Sequence, residues 1–315
     1  MYLCNTLDSI CSNGGDMNKL TKIFAGVVLA GSAAMASAAP LYVNSGDNDS
    51  SVPFGDDDGF TYTFEAFTFN DLQPVSTYLD LEGDGIQNGT LVFDSAVGEV
   101  GLLNPDTGSD EFFTDAWSLT FDYKLWGYAG ISDDVVANGV FDDGEVLAAQ
   151  FVGGYFNMYF DDDVSDGVDP VSAMTLSLTG STFNAGGGVN LSLFAEIETV
   201  LADLFFLDPS FNGDSDLAEV VANNDPSQYG ATITAEIIDA TQAPTDQGFV
   251  VTDFETDVLT SLGIDLDDYD DAVFLTRTTT LPSANLEIQV SSPASIAMMG
   301  LGLIGLAGLR RVKKA

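Results

Sequence analysis

Apolar and polar side chains alternate with a period of two residues through most of the middle of this chain, which commits that region to β-structure. In Phe60-Thr61-Tyr62-Thr63-Phe64-Glu65-Ala66-Phe67-Thr68-Phe69, the even-numbered side chains as far as Ala66 share one face and Thr61, Thr63 and Glu65 the other. A pleated strand sends successive side chains to opposite faces, so such a segment buries one face and wets the other. The same logic picks out 117–123, 155–160, 174–178, 191–197, 232–238, 273–279 and 286–290. Gly, Asp, Asn and Pro, which favour turns, separate most of them. Short strands spread this evenly predict an all-β domain, antiparallel and β-sandwich-like, with few short helices. Helical spacing is confined to 199–206 and 255–262, and no strict solenoid repeat occurs.

The charge on this region is lopsided. Of 49 acidic residues, only Asp8 and Asp16 precede residue 39 and none follows residue 290, leaving 47 against two cations, Lys124 and Arg277, a formal charge of −45. Such a surface repels phosphate backbones and anionic lipid, which argues against a nucleic-acid partner. Disorder is not implied, because 45% of the chain is hydrophobic and 22 residues are Phe, enough to bury a core. With so few cations inside the domain, most carboxylates must be solvated, screened by salt or bound to metal ions. Both cysteines, Cys4 and Cys11, lie ahead of the domain, so no disulfide is expected within it.

The two ends read as addresses. Residues 17–38 combine a Lys-bearing start, the apolar run 23–30 and the small residues Ala36-Ser37-Ala38, the three parts of a secretory signal peptide. Cleavage is expected between Ala38 and Ala39, by a signal peptidase after passage through the Sec translocon. Residues 1–16 read as an over-extended start. At the other end 293–309 is apolar or small throughout and Arg310, Arg311, Lys313 and Lys314 follow at once. Seventeen helical residues span about 25 Å, a short transmembrane helix, and the basic cluster behind it stops transfer on the cytoplasmic side. The domain boundaries expected are therefore 39–289 for the acidic β-rich part and 290–315 for the tail, with an N-terminal signal helix and a C-terminal transmembrane helix as flanks.

Val290-Ser291-Ser292-Pro293-Ala294-Ser295, a Gly/Leu-rich short helix and a terminal Arg-Arg cluster together resemble the sorting signal of PEP-CTERM proteins. Val290, Ser291, Ser292, Pro293 and Ala294 stand where that family carries Pro-Glu-Pro and are similar to its Val-Ser-x-Pro-Ala variants. The resemblance implies recognition by an exosortase, transient insertion in the inner membrane of a Gram-negative bacterium, loss of the tail, and delivery to the cell surface or an extracellular polysaccharide matrix. The start Ala39-Pro40-Leu41-Tyr42-Val43 and the run 154–161 also look similar to the flocculation-associated subgroup of that family.

Two acidic loops have spacings suited to calcium, which needs several hard oxygens around one centre. Asp134, Asn138, Val140 (through its carbonyl), Asp142 and Glu145 occupy positions 1, 5, 7, 9 and 12 of a twelve-residue loop with Gly139 at the sharp turn, although position 3 is Val136. Asp80, Glu82 and Asp84 alternate before Gly85 but lack a closing acid, since Leu91 falls at the twelfth position. A solvated acidic turn competes with calcium at both. The absence of histidine removes Ser-His-Asp and Cys-His catalysis and the usual zinc sites. A carboxylate-pair glycosidase stays open without a nominable pair, and no catalytic residue is assigned. Two classes remain: a structural or adhesive matrix component in contact with polysaccharide, and a carbohydrate-binding module with Tyr42, Tyr155 and Tyr159 as stacking residues.

Overall fold

The computed structural model describes residues 39–45, 61, 63–104, 113–114, 116–132, 140–142, 145–165, 167–184, 189–208, 215–223, 229–237, 242–246 and 248–290. These all belong to one compact unit, Ala38–Val290. The expected signal helix and membrane helix lie outside the described residues, among which no helix is long and apolar enough to cross a membrane.

The alternating segments do form strands, joined in antiparallel order. Seven of them, β2 (Ala66–Leu72), β5 (Ser118–Ser132), β6 (Val146–Asp161), β7 (Val171–Asn184), β8 (Val189–Val200), β11 (Tyr229–Ile237) and β14 (Leu281–Val290), are joined by β4 (Leu91–Asn104), which alternation did not pick out. Each pairs with the next in chain order, and β14 returns to pair with β2. Because β4 pairs with both β2 and β5, the sheet closes into an eight-stranded up-and-down ring, leaving those strands no free edge. The two packed layers expected of a sandwich are thus opposite walls of one sheet. Beyond the ring, β3 (Val75–Asp80) continues the line of β2 along β4, and β13 (Val273–Thr278) pairs with β3 and carries the short β12 (Thr245–Asp246).

Side chains fill the ring. Phe69, Phe121 and Phe156 meet with ring centroids 4.5–5.7 Å apart, in the interlocking geometry of close-packed aromatics. Gly98 is what lets Phe121 lie there, since a Cβ at that position would come within 2.8 Å of its ring. Where β6 kinks, Gly154 has φ +133 and a Cβ there would fall 2.2 Å from the Lys124 carbonyl oxygen, so only glycine keeps β5 and β6 paired. One end of the ring is closed by β1 (Leu41–Val43), β9 (Phe205–Leu207), β10 (Ser215–Asp216) and helix α1 (Leu217–Asn223), with Phe67 edge-on to Phe205. Outside, helix α2 (Asp253–Leu262) starts with a capping box between Thr252 and Glu255 and stops at left-handed Gly263. Its Val258 and Leu259 cover Leu79, Leu91 and Phe93 of β3 and β4.

The helix expected over 199–206 does not form. Strand β8 runs to Val200 and, after a turn, β9 takes Phe205–Leu207. Val200, Leu201, Leu204 and Phe205 fit either pattern by spacing, but Asp203 has φ 62, a left-handed value that interrupts a right-handed helix. The strand expected over 60–69 begins at Ala66, and Phe60 and Tyr62 lie outside the described residues. The helix expected over 255–262 is present as α2.

Candidate functional site

Alternation places four side chains in one inward-facing row. Arg277 of β13 lies opposite Ser76 of β3, Ser76 opposite Asp94 of β4, and Asp94 opposite Leu125 of β5. Arg277 is one of the domain's two cations and is buried. Its Nη2 donates to Tyr78 Oη at 3.0 Å and to the Leu147 carbonyl at 3.2 Å, and the guanidinium lies over the Tyr78 ring. Asp94 is buried too and accepts from Ser76 Oγ and, at 2.8 Å, from Tyr123 Oη. Burial raises the Asp94 carboxyl from 3.8 to about 6 against the opposing pull of those hydroxyls and of Arg277. Burial also pushes Tyr78 up to about 12 and Tyr123 well above its ordinary value, so both phenols stay protonated.

Two narrow voids of about 40 Å³ and about 30 Å³ flank this row, each with room for only a few water-sized spheres. Asp94 and Tyr123 border both. An eight-stranded ring is just wide enough to be filled by its own side chains, and this one is filled. The polar row is an internal brace.

The sign of the Asp94 effect follows from linkage. Its value is higher in the folded state, so stability from this group is complete below about 4 and is lost as pH rises through about 6. The loss amounts to about 3 kcal/mol in order of magnitude. Asp94→Asn, which cannot ionise, is expected to flatten the pH dependence of the melting temperature across that window relative to the parent protein. Parallel curves for the two proteins would show that Asp94 does not titrate in the fold.

Val140 and Phe141 of one acidic loop meet the chain just after the other. Gln87 forms a bridge with Val140, and Phe141 N donates to the Ile86 carbonyl at 2.7 Å. Asp80 is buried and accepts backbone N–H groups from Glu82, Gly83 and Gly85 at 3.3, 2.9 and 2.8 Å. Both its oxygens are thereby engaged in building the turn, and Glu82 and Asp84 are exposed, with Asp84 accepting from Gln87 Nε2. In the other loop Glu145 is buried and accepts Asp142 N at 2.9 Å, while Asp134 and Asn138 lie outside the described residues. Among the described residues no group of three or more His, Cys, Asp or Glu side chains is arranged to hold a metal.

Of the three tyrosines expected to stack on sugars, Tyr42 is already stacked on Phe206, 5.4 Å away and nearly parallel. Tyr155 and Tyr159 both project outward from β6, opposite Lys124 and Thr120 of β5. Ala39, the expected first residue after cleavage, is fully buried and donates its backbone N–H to the Ile288 carbonyl at 2.8 Å. Val290, read as the start of the sorting motif, is the last residue of β14, opposite Tyr229. Ala36, Ala38, Ser291–Ala294 and the basic cluster Arg310, Arg311, Lys313 and Lys314 lie outside the described residues. Compared with protein-family models, curated proteins and solved structures, the chain matches none.

Proposed function

We propose that this is an exported protein sorted to the cell surface or extracellular matrix, where its acidic β-barrel has a structural or adhesive role in contact with polysaccharide. The single observation that carries the reading is where the folded unit stops. It runs from Ala38 to Val290, and the N–H of Ala39 bonds the carbonyl of Ile288. The described barrel therefore begins and ends at neighbouring backbone positions, which supports reading the segments before and after it as separate from its fold. The outer face supports an aqueous setting. Outward positions such as Ser118, Thr120, Asp122, Thr175, Ser192, Glu196 and Glu287 are polar, the reverse of a transmembrane barrel, which turns apolar residues outward.

Truncation after Val290 is expected to release the protein into the medium at unchanged cellular yield. Retention of the truncated protein in the envelope would remove the tail's role. A strain lacking the protein is expected to aggregate less; normal aggregation would argue against adhesion.

Calcium enters the reading as a counter-ion for this surface. Millimolar calcium is expected to raise the melting temperature beyond what sodium gives at matched ionic strength. Identical curves would remove the metal.

The observation favouring a second reading, a carbohydrate-binding module, is the outward pair Tyr155 and Tyr159.

A further inference from the structure

Helix α2 covers part of the barrel's exterior and leaves the neighbouring face of β4–β7 open. Its Phe254 meets Phe93 at 6.5 Å and Tyr155 edge-on at 5.6 Å, and there the cover ends. Beyond that edge the cross-strand registers set out a small platform. Along β6 run Tyr155, Asn157 and Tyr159; opposite them on β5 are Lys124, Asp122 and Thr120, and Asp122 and Thr120 face Val97 and Glu99 of β4. On the other side Thr175 of β7 donates to Asn157 Oδ1 at 3.2 Å. At about 3.3 Å per residue the two tyrosines are about 13 Å apart along the strand, the length of a short oligosaccharide. Tyr159 Oη reaches across to Asp122 Oδ1 at 3.1 Å, which leans its ring over the sheet. Val97 is 79% exposed.

The charges select the occupant. Lys124 turns away from the platform toward α2, 2.8 Å from Thr252 Oγ1 and 3.8 Å from Glu255, and Arg277 is buried on the inside. Among the described residues no basic side chain pairs with Asp122, and Glu99 is exposed beside it. Burial and the nearby Asp122 carboxylate raise the Tyr155 phenol, and burial with the Asp122 hydrogen bond raises Tyr159, so both hydroxyls stay protonated. A flat ring offers an apolar face to the C–H side of a sugar, and flanking Asp, Asn and Thr groups bond its hydroxyls. The field of the domain, −45 over residues 39–290, repels anionic glycans, leaves neutral ones unsteered and attracts cationic ones.

We propose that the Tyr155–Asn157–Tyr159 platform with Asp122 and Glu99 binds a cationic glycan, a polymer of unacetylated amino sugar. It rests on the reading of the protein as a surface component in contact with polysaccharide, and it gives that contact a place and a chemistry. The sugar faces stack on the tyrosines, and the ammonium groups pair with Asp122 and Glu99.

The test is calorimetry on the intact protein at about 0.5 M salt, where long-range attraction is screened. The probes are a glucosamine hexamer, its fully N-acetylated form and hexalysine. The glucosamine hexamer is expected to bind, with the other two weaker by about tenfold or more. Tyr159→Ala and Asp122→Asn are each expected to weaken it about tenfold at unchanged melting temperature. Three results would overturn the proposal: equal binding of hexalysine, which marks a non-specific polyanion; tighter binding of the acetylated hexamer, which marks a neutral-glycan site; or variants that bind as the parent does. The release experiment on the truncated tail does not depend on any of these, so failure here leaves the surface reading standing or falling on its own.

Discussion

Arg277→Met is expected to destabilise the protein by about 3 kcal/mol at about pH 7, chiefly because it leaves buried polar groups without their donor. The loss has two parts. One is independent of pH: the Leu147 carbonyl and the Tyr78 hydroxyl lose the donor they share. The other belongs to Asp94. Arg277 pulls the Asp94 carboxyl down against burial, so removing the guanidinium raises it further and concentrates the damage above about pH 6, where the acid ionises. Denaturant melts at about pH 4.5 and about pH 7 should therefore differ far more for Arg277→Met than for the parent protein. Adding Asp94→Asn to Arg277→Met should recover the pH-dependent part of the loss, since no buried charge is then left alone. A loss equal at both pH values, with no recovery in the double variant, would show that Arg277 and Asp94 do not sense each other.

Phe121→Ala is expected to cost about 3–5 kcal/mol. Phe121 is buried at the waist of the ring, 4.5 Å from Phe69 and 5.2 Å from a nearly parallel Phe156, and it borders the existing void. Closed rings relax poorly, since drawing one wall inward strains the hydrogen bonds of both neighbouring strands, so the new cavity stays largely open. Phe121→Leu keeps most of the volume and should cost well under half as much. If the two variants melt together, the ring is looser at this level than its packing indicates.

The outward tyrosines were legible as residue types, because Tyr155 and Tyr159 share parity on a strand whose apolar partners Phe156, Met158 and Phe160 must go inward. Tyr42 was equally legible and had a different fate, since only the pairing of β1 with β9 brings Phe206 against it. The polar brace left one trace. Arg277 sits two residues after Leu275 in an alternating strand, which gives it the inward parity, yet alternation alone cannot say that Asp94 awaits it two strands away. Strand β4 was hidden for a related reason. Leu91, Val92, Phe93 and Asp94 are all buried, because α2 covers the outer face and erases the polar half of the pattern. Asp80 shows the converse: its spacing is legible in the sequence, but only the folded turn brings the Glu82, Gly83 and Gly85 amides onto its two oxygens.

What the amino-acid sequence determined alone is local: period-two alternation and turn residues make antiparallel strands, the α2 spacing and its cap make a helix, and the acid excess makes an anionic surface. The tertiary structure alone decided that β4 pairs with β5 as well as β2, which turns layers into a closed ring and fills its interior. The reason is physical. Which face a side chain takes follows from its neighbours along the strand, whereas ring closure and the company each side chain keeps depend on strands far apart in the chain.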